Sequence, residues 1–207
     1  MNPNTSRLVR LARLAAPAAA ALAMTMAFAG PAAADPSFVM RSGGEVRFAA
    51  LPGEQNTVTF GIGSGGVVTV TDTTSTITAG PGCVQQGPNT VRCGVLTGLT
   101  RIQAALGNGN DIATNNTPVP SDMDGGSGED RLIGGTAADR LTDSDGWNAN
   151  TGTTTTTFEG GGGNDTLVSK NGGFDRITCG TGFDILVADQ AALDTVPAGS
   201  GCEFVIR

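Results

Sequence analysis

Gly125-Gly126-Ser127-Gly128-Glu129-Asp130-Arg131-Leu132-Ile133 is followed without a gap by Gly134-Gly135-Thr136-Ala137-Ala138-Asp139-Arg140-Leu141-Thr142. Both nonapeptides obey one pattern, G-G-x-G-x-D-x-U-x with U a large aliphatic residue, and the second departs only by Ala137 in place of glycine. Gly160-Gly161-Gly162-Gly163-Asn164-Asp165-Thr166-Leu167-Val168 fits completely. After one extra residue, Ser169, the stretch 170–178 keeps Gly173, Asp175 and Ile177, and Cys179-Gly180-Thr181-Gly182-Phe183-Asp184-Ile185-Leu186-Val187 continues in frame. A weaker forerunner, 107–111, lies upstream. A fixed period of this length marks a stacked-repeat architecture, because one such unit cannot bury its own apolar face and must lean on its neighbours.

The first six residues of each unit read as a tight turn and the last three as a short strand, with glycine where neighbouring turns approach closely and U pointing inward. The expected fold is therefore all-β: a parallel β-roll, or β-solenoid, over 107–207, capped by a small strand-rich region over 35–106. In that region Val46 and Phe48, Val58, Phe60 and Ile62, Val68 and Val70, and Ile102, Ala104 and Leu106 alternate with other residues between Gly-rich breaks. The stretch 143–159 interrupts the repeats. It carries Trp147 and five consecutive threonines, Thr153 to Thr157, and reads equally as a degenerate coil or as a looped-out excursion.

Two units per coil would place turns of alternate units on the same edge, lining the sixth-position carboxylates into a row on each edge. Two carboxylates ~5 Å apart repel by ~3 kcal/mol at an effective dielectric near 20, so such rows tend to open the roll unless a cation lies between them. The hard dication calcium suits them, since it takes 6 to 8 oxygens in flexible geometry and Gly-rich turns offer carbonyls beside the Asp side chains. Transition metals lack their preferred ligands in a chain without histidine. Charge follows the same division. Residues 105–207 carry fifteen acidic and five basic side chains, a net of −10, whereas 35–104 is neutral and 1–34 holds three arginines and no acid. An acidic half of this kind excludes nucleic acid and anionic lipid as partners.

These nonapeptides resemble those of the hemolysin-type, or RTX, calcium-binding repeat family. The resemblance covers roughly half of the chain beyond residue 34. It implies calcium ions held between turns by Asp130, Asp139, Asp165, Asp175 and Asp184, with carbonyls of the turn glycines Gly126, Gly128, Gly161, Gly163, Gly180 and Gly182 beside them. RTX toxins carry many more repeats and a C-terminal secretion signal without a cleaved leader, so haemolytic activity is not carried over.

Arg7, Arg10 and Arg13 precede the Ala-rich apolar stretch 14–29, and Pro31-Ala32-Ala33-Ala34 supplies the small residues a signal peptidase reads. The expectation is a cleaved Sec-type signal peptide over 1–34 and a secreted, extracellular protein beginning at Asp35. The apolar run falls short of the ~20 residues a membrane span needs. All four cysteines follow this segment, which suits an oxidising compartment and two disulfides. Of the three possible pairings, Cys83 with Cys93 and Cys179 with Cys202 close the shortest local loops. Without histidine no Ser-His-Asp or Cys-His catalytic arrangement can form, and no G-x-S-x-G elbow is present, so the reading is a non-enzyme. Two alternatives share the same features: an adhesive or matrix-interaction module contacting an extracellular surface or polysaccharide with calcium purely structural, and a calcium-dependent polysaccharide lyase. Few aromatics argue against the lyase.

Overall fold

The computed structural model describes residues 36–144 and 155–207. The proposed signal segment, Trp147 and most of the insert lie outside the described residues. The described chain is all-β, with one 3-10 turn at Ser64–Gly66. β1 (Ser37–Ser42) and β2 (Glu45–Ala49) form an antiparallel hairpin, and β3 (Thr57–Gly63) and β4 (Val67–Asp72) form another. The short β5 (Ile77–Ala79), β6 (Val84–Gly87) and β7 (Thr90–Val95) complete the first region. There follow β8 (Arg101–Ala105), β9 (Ile112–Asn115), β10 (Ser121–Asp124), β11 (Arg131–Ile133), β12 (Arg140–Thr142) and β13 (Thr157–Gly162). The last four are β14 (Thr166–Val168), β15 (Arg176–Thr181), β16 (Ile185–Val187) and β17 (Phe204–Ile206).

Two mixed sheets result, neither of them closed. The nine-stranded sheet has the order β17-β16-β14-β12-β10-β8-β2-β1-β5 and the eight-stranded sheet the order β15-β13-β11-β9-β3-β4-β7-β6. From β8 to β16 successive strands fall in opposite sheets, and each pairs in parallel with the strand two places away. The registers bring the U residues into columns. In one sheet Phe48, Ala104, Met123, Leu141, Leu167, Leu186 and Val205 lie side by side; in the other Val58, Ala113, Leu132, Phe158 and Ile177 do so. All of these except Val205 are buried and belong to one continuous core. Burying a Leu or Ile side chain is worth about 2 kcal/mol, so each strand of three residues contributes one such stabilising contact layer.

The strand-rich first region shares both sheets with the repeats. β2 pairs with β8 and β3 with β9, in parallel, so Val46 and Phe48 and Val58 and Phe60 continue the same inward stripes. The insert is divided as well. Its last residues enter β13, where Phe158 takes a U position beside Leu132, while 145–154 lie outside the described residues. Both expected disulfides are formed, Cys83 to Cys93 and Cys179 to Cys202.

Close stacking of turns accounts for the glycine pattern. A Cβ at Gly182, where φ is +138°, would fall 1.6 Å from the Gly163 carbonyl oxygen, and one at Gly128 would fall 1.7 Å from that of Gly109. No side chain fits there, whatever its polarity.

Candidate metal centre

Asp111, Asp130, Asp139, Asp165, Asp175 and Asp184 each stand immediately before a strand and are buried, so the acid rows run beneath the turns; Glu203, at the end of one row, is exposed. Before the strands of the eight-stranded sheet the row is Asn56, Asp111, Asp130, Thr156, Asp175 and Asp194. Along the nine-stranded sheet it is Ser121, the first residue of β10, then Asp139, Asp165, Asp184 and Glu203. A hydrogen bond joins nearly every neighbouring pair in the same sense: the backbone N–H of one member donates to the side-chain oxygen of the next. Asn56 donates to Asp111 at 2.7 Å, Asp111 to Asp130 at 2.8 Å, Asp130 to Thr156 Oγ1 at 3.3 Å and Thr156 to Asp175 at 2.8 Å. On the other edge Ser121 donates to Asp139 at 2.6 Å, and Asp139 to Asp165, Asp165 to Asp184 and Asp184 to Glu203, each at 2.8 Å. The repeat period thus sets two hydrogen-bonded files of side chains through the stack.

The rows unite all five carboxylates read from the repeats: Asp130 and Asp175 on one edge, Asp139, Asp165 and Asp184 on the other. The turn glycines follow. Gly126 and Gly128 lie against the 107–109 turn, Gly161 and Gly163 against Gly135 and Ala137, and Gly180 and Gly182 against Gly161 and Gly163. Asn56, Ser121, Thr156, Asp194 and Glu203 were missed by alignment on glycine, because their units lack the glycine signature. Spacing alone could have found four of them: Ser121 stands nine residues before Asp130, Thr156 nine before Asp165, and Asp194 nine before Glu203, ten after Asp184. Asn110 and Asn164, at position five, add outer hydrogen bonds from Glu129 N and Phe183 N.

The carboxylates are incompletely satisfied. Oδ2 of Asp111, Asp165, Asp175 and Asp184 is buried without a hydrogen-bond partner. Asp139 differs, since Oδ1 accepts from Ser121 and Oδ2 from Gly135 N at 2.6 Å. Burial pushes the Asp111 carboxyl up to about 6, against the lowering effect of the Asn56 amide, with Asp72 and Glu54 adding repulsion. Asp165 is pushed up to about 7 by burial, with Asp139 and Asp184 raising it further. Asp175 reaches about 8, again through burial first, beside Asp194, Asp143 and Asp189, and Asp194 is raised for the same reason. The chemistry of the rows is that of desolvated oxygen anions facing one another, which need protons or cations to lose their charge.

Among the described residues no three His, Cys, Asp or Glu side chains converge closely enough to hold a metal ion by themselves. A cation in these rows would complete its shell with backbone carbonyls. Away from the rows, Asp122 lies between Arg101 at 3.7 Å and Arg140 at 3.6 Å, and Arg131 pairs with Glu159 at 2.6 Å, all half-exposed on the outer faces. Among the described residues no helix is long and apolar enough to cross a membrane. No family model, no curated protein and no solved structure matches the chain.

Proposed function

We propose that the chain is an extracellular calcium-binding module, a parallel β-roll of the hemolysin type in which calcium lies between successive turns and couples ion binding to folding. The carrying observation is the set of buried Oδ2 atoms on Asp111, Asp165, Asp175 and Asp184. A buried acceptor without a donor is costly, and a buried anion more so, whereas a hard dication meets both requirements at once. Asp165 and Asp184 would supply carboxylate oxygens on one edge and Asp130 and Asp175 on the other, with turn carbonyls from Gly126, Gly128, Gly161, Gly163, Gly180 and Gly182 in reach of the same space. Asp139, with both oxygens engaged, contributes least. Bound calcium supplies positive charge that cancels the repulsion along each row. Two disulfides support an oxidising compartment outside the cytosol.

Thermal unfolding with calorimetric titration tests this reading. At a calcium concentration ~100 times the dissociation constant the folded state gains ~2.7 kcal/mol, a rise of several degrees in Tm. The double variant Asp165→Ala/Asp184→Ala loses most of that gain and binds less calcium. Equal Tm in calcium and in chelator, with no heat of binding, removes the proposal.

A further inference from the structure

Among the described residues, the outermost strand of the nine-stranded sheet, β17, is open in a way the other sheet edges are not. At the far end of the same sheet Gln85 closes β5: its Oε1 accepts from Ala79 N at 2.7 Å and its Nε2 donates to Ile77 O at 2.8 Å. In the other sheet β6 is irregular, its register with β7 shifting between Gln85 and Gly87, a device that blunts an edge. On β15 the returning chain takes the ladder positions, with Ile177 N donating to Thr195 O and Cys179 N to Ser200 O. Among the described residues nothing covers β17 in this way. Phe204, Val205 and Ile206 are 54%, 39% and 43% exposed.

Its backbone is committed on one side only. Phe204 N donates to Asp184 O, and Ile206 O accepts from Ala188 N, so both residues turn their peptide groups toward β16. By the alternation of an extended strand, the N–H and C=O of Val205 face the open side. Phe204 and Ile206 lie on the outer face beside Ile185 and Val187, and Val205 lies in the core column beside Leu186.

The sequence around this strand, Glu203-Phe204-Val205-Ile206-Arg207, reads as its own complement when reversed. We infer that β17 pairs antiparallel with β17 of a second copy of this chain, about a two-fold axis at Val205, joining two nine-stranded sheets edge to edge. In that register Val205 exchanges both peptide hydrogen bonds with its counterpart. Phe204 faces Ile206 of the other copy on the outer face, twice, and Glu203, whose Oε2 accepts from Asp184 N at 2.8 Å, faces Arg207 of the other copy, which here donates to Asp189 O at 2.6 Å, twice. An isologous contact of this kind closes on itself, so the product is a dimer and not a fibre. The two layers also end level, since the segment from Thr195 to Ser200 extends the eight-stranded sheet by the same step that β17 extends the other. The pairing at Val205 uses none of the carboxylates Asp130, Asp139, Asp165, Asp175 and Asp184.

Sedimentation of the purified chain over a concentration series, in calcium and in chelator, reads the oligomer directly. The expected result is a monomer–dimer equilibrium abolished by Ile206→Glu, with an unchanged far-ultraviolet dichroism spectrum. Val205→Cys is expected to form a symmetric disulfide-linked dimer under mild oxidation, because hydrogen-bonded antiparallel partners have Cα atoms ~5.5 Å apart, within disulfide range. Val84→Cys on β6 gives no such product. Arg207→Glu weakens association at least several-fold, through a Glu facing Glu203 of the other copy. A chain that stays monomeric up to ~1 mM overturns the inference, as does a dimer indifferent to Ile206→Glu. A dimer lost in Ile206→Glu but not cross-linked through residue 205 overturns the two-fold register.

Discussion

The regions 36–106 and 107–207 occupy the same two sheets and the same core, yet they satisfy their polar groups in opposite ways. In the first, antiparallel pairing dominates, large side chains such as Phe48 and Phe60 meet edge to face at 6.5 Å, and the charges of Asp72 and Arg41 are each met by several partners. Asp72 illustrates this: Oδ1 accepts from Thr57 N, Thr74 N, Thr74 Oγ1 and Ser75 N, and Oδ2 from Asn56 Nδ2. Arg41 donates to the carbonyls of Cys93, Val95 and Thr97. In the second, parallel strands of mostly three residues repeat one unit, and each repeat adds another carboxylate of which only one oxygen is usually used. A region assembled from different pieces can match its charged groups to partners one by one. A region assembled from copies of one piece accumulates whatever that piece leaves over, and here the remainder is negative charge.

The largest effect that would break this contrast is steric. Gly182→Ala is expected to cost on the order of 4 kcal/mol, because the new Cβ meets the Gly163 carbonyl in a backbone conformation that disfavours side chains. Gly65→Ala, also at positive φ (+74°) but facing open space, is expected to cost about 1 kcal/mol. Urea denaturation midpoints measure both. Equal costs would mean that turn stacking in the second region is looser than the structure has it.

Charge removal sharpens the comparison by reversing sign between regions. Asp72→Asn sets an amide N–H₂ against existing donors and is expected to destabilise by about 1–3 kcal/mol. Asp165→Asn keeps the acceptor for Asp139 N, replaces the unpaired Oδ2 and removes a buried anion, so in chelator it is expected to stabilise by about 1 kcal/mol or more while weakening calcium binding. The same logic fixes the pH dependence. Asp111, Asp165 and Asp175 bind protons more tightly folded than unfolded, so their contribution to stability is complete below about pH 4 and is lost as pH rises through about 6 to 8. Calcium-free protein should therefore have a higher urea midpoint at pH 5 than at pH 8.5, and saturating calcium should flatten the difference. A midpoint that rises with pH in calcium-free buffer would show that the rows are already compensated.

The smallest effect concerns the outer faces. Arg140→Ala removes a half-exposed partner of Asp122 at 3.6 Å and is expected to change stability by less than about 0.5 kcal/mol, with a slope in salt to match. A larger loss would mean that the outer charges, and not the rows, hold the second region together.

The nine-residue period by itself determined the strand positions, the inward positions of Leu141, Leu167 and Leu186 in one sheet and of Leu132 and Ile177 in the other, and the alignment of five aspartates, because a repeat writes its geometry into spacing. Cysteine proximity along the chain was enough for both disulfides. Only the tertiary structure decided that Asn56 belongs to the same rows and that Ser121, Thr156, Asp194 and Glu203, which stand at the right spacing, act in them, since Ser, Thr, Asn and Glu oxygens serve the ladder as well as Asp and their units lack the glycines that mark the frame. It alone decided that the first region is continuous with the repeats, because parallel pairing of β2 with β8 and of β3 with β9 joins residues more than fifty positions apart. Burial of the carboxylates was likewise beyond the sequence. Spacing says which side chains recur on one edge, whereas the depth of that edge depends on how turns from separate units close over it.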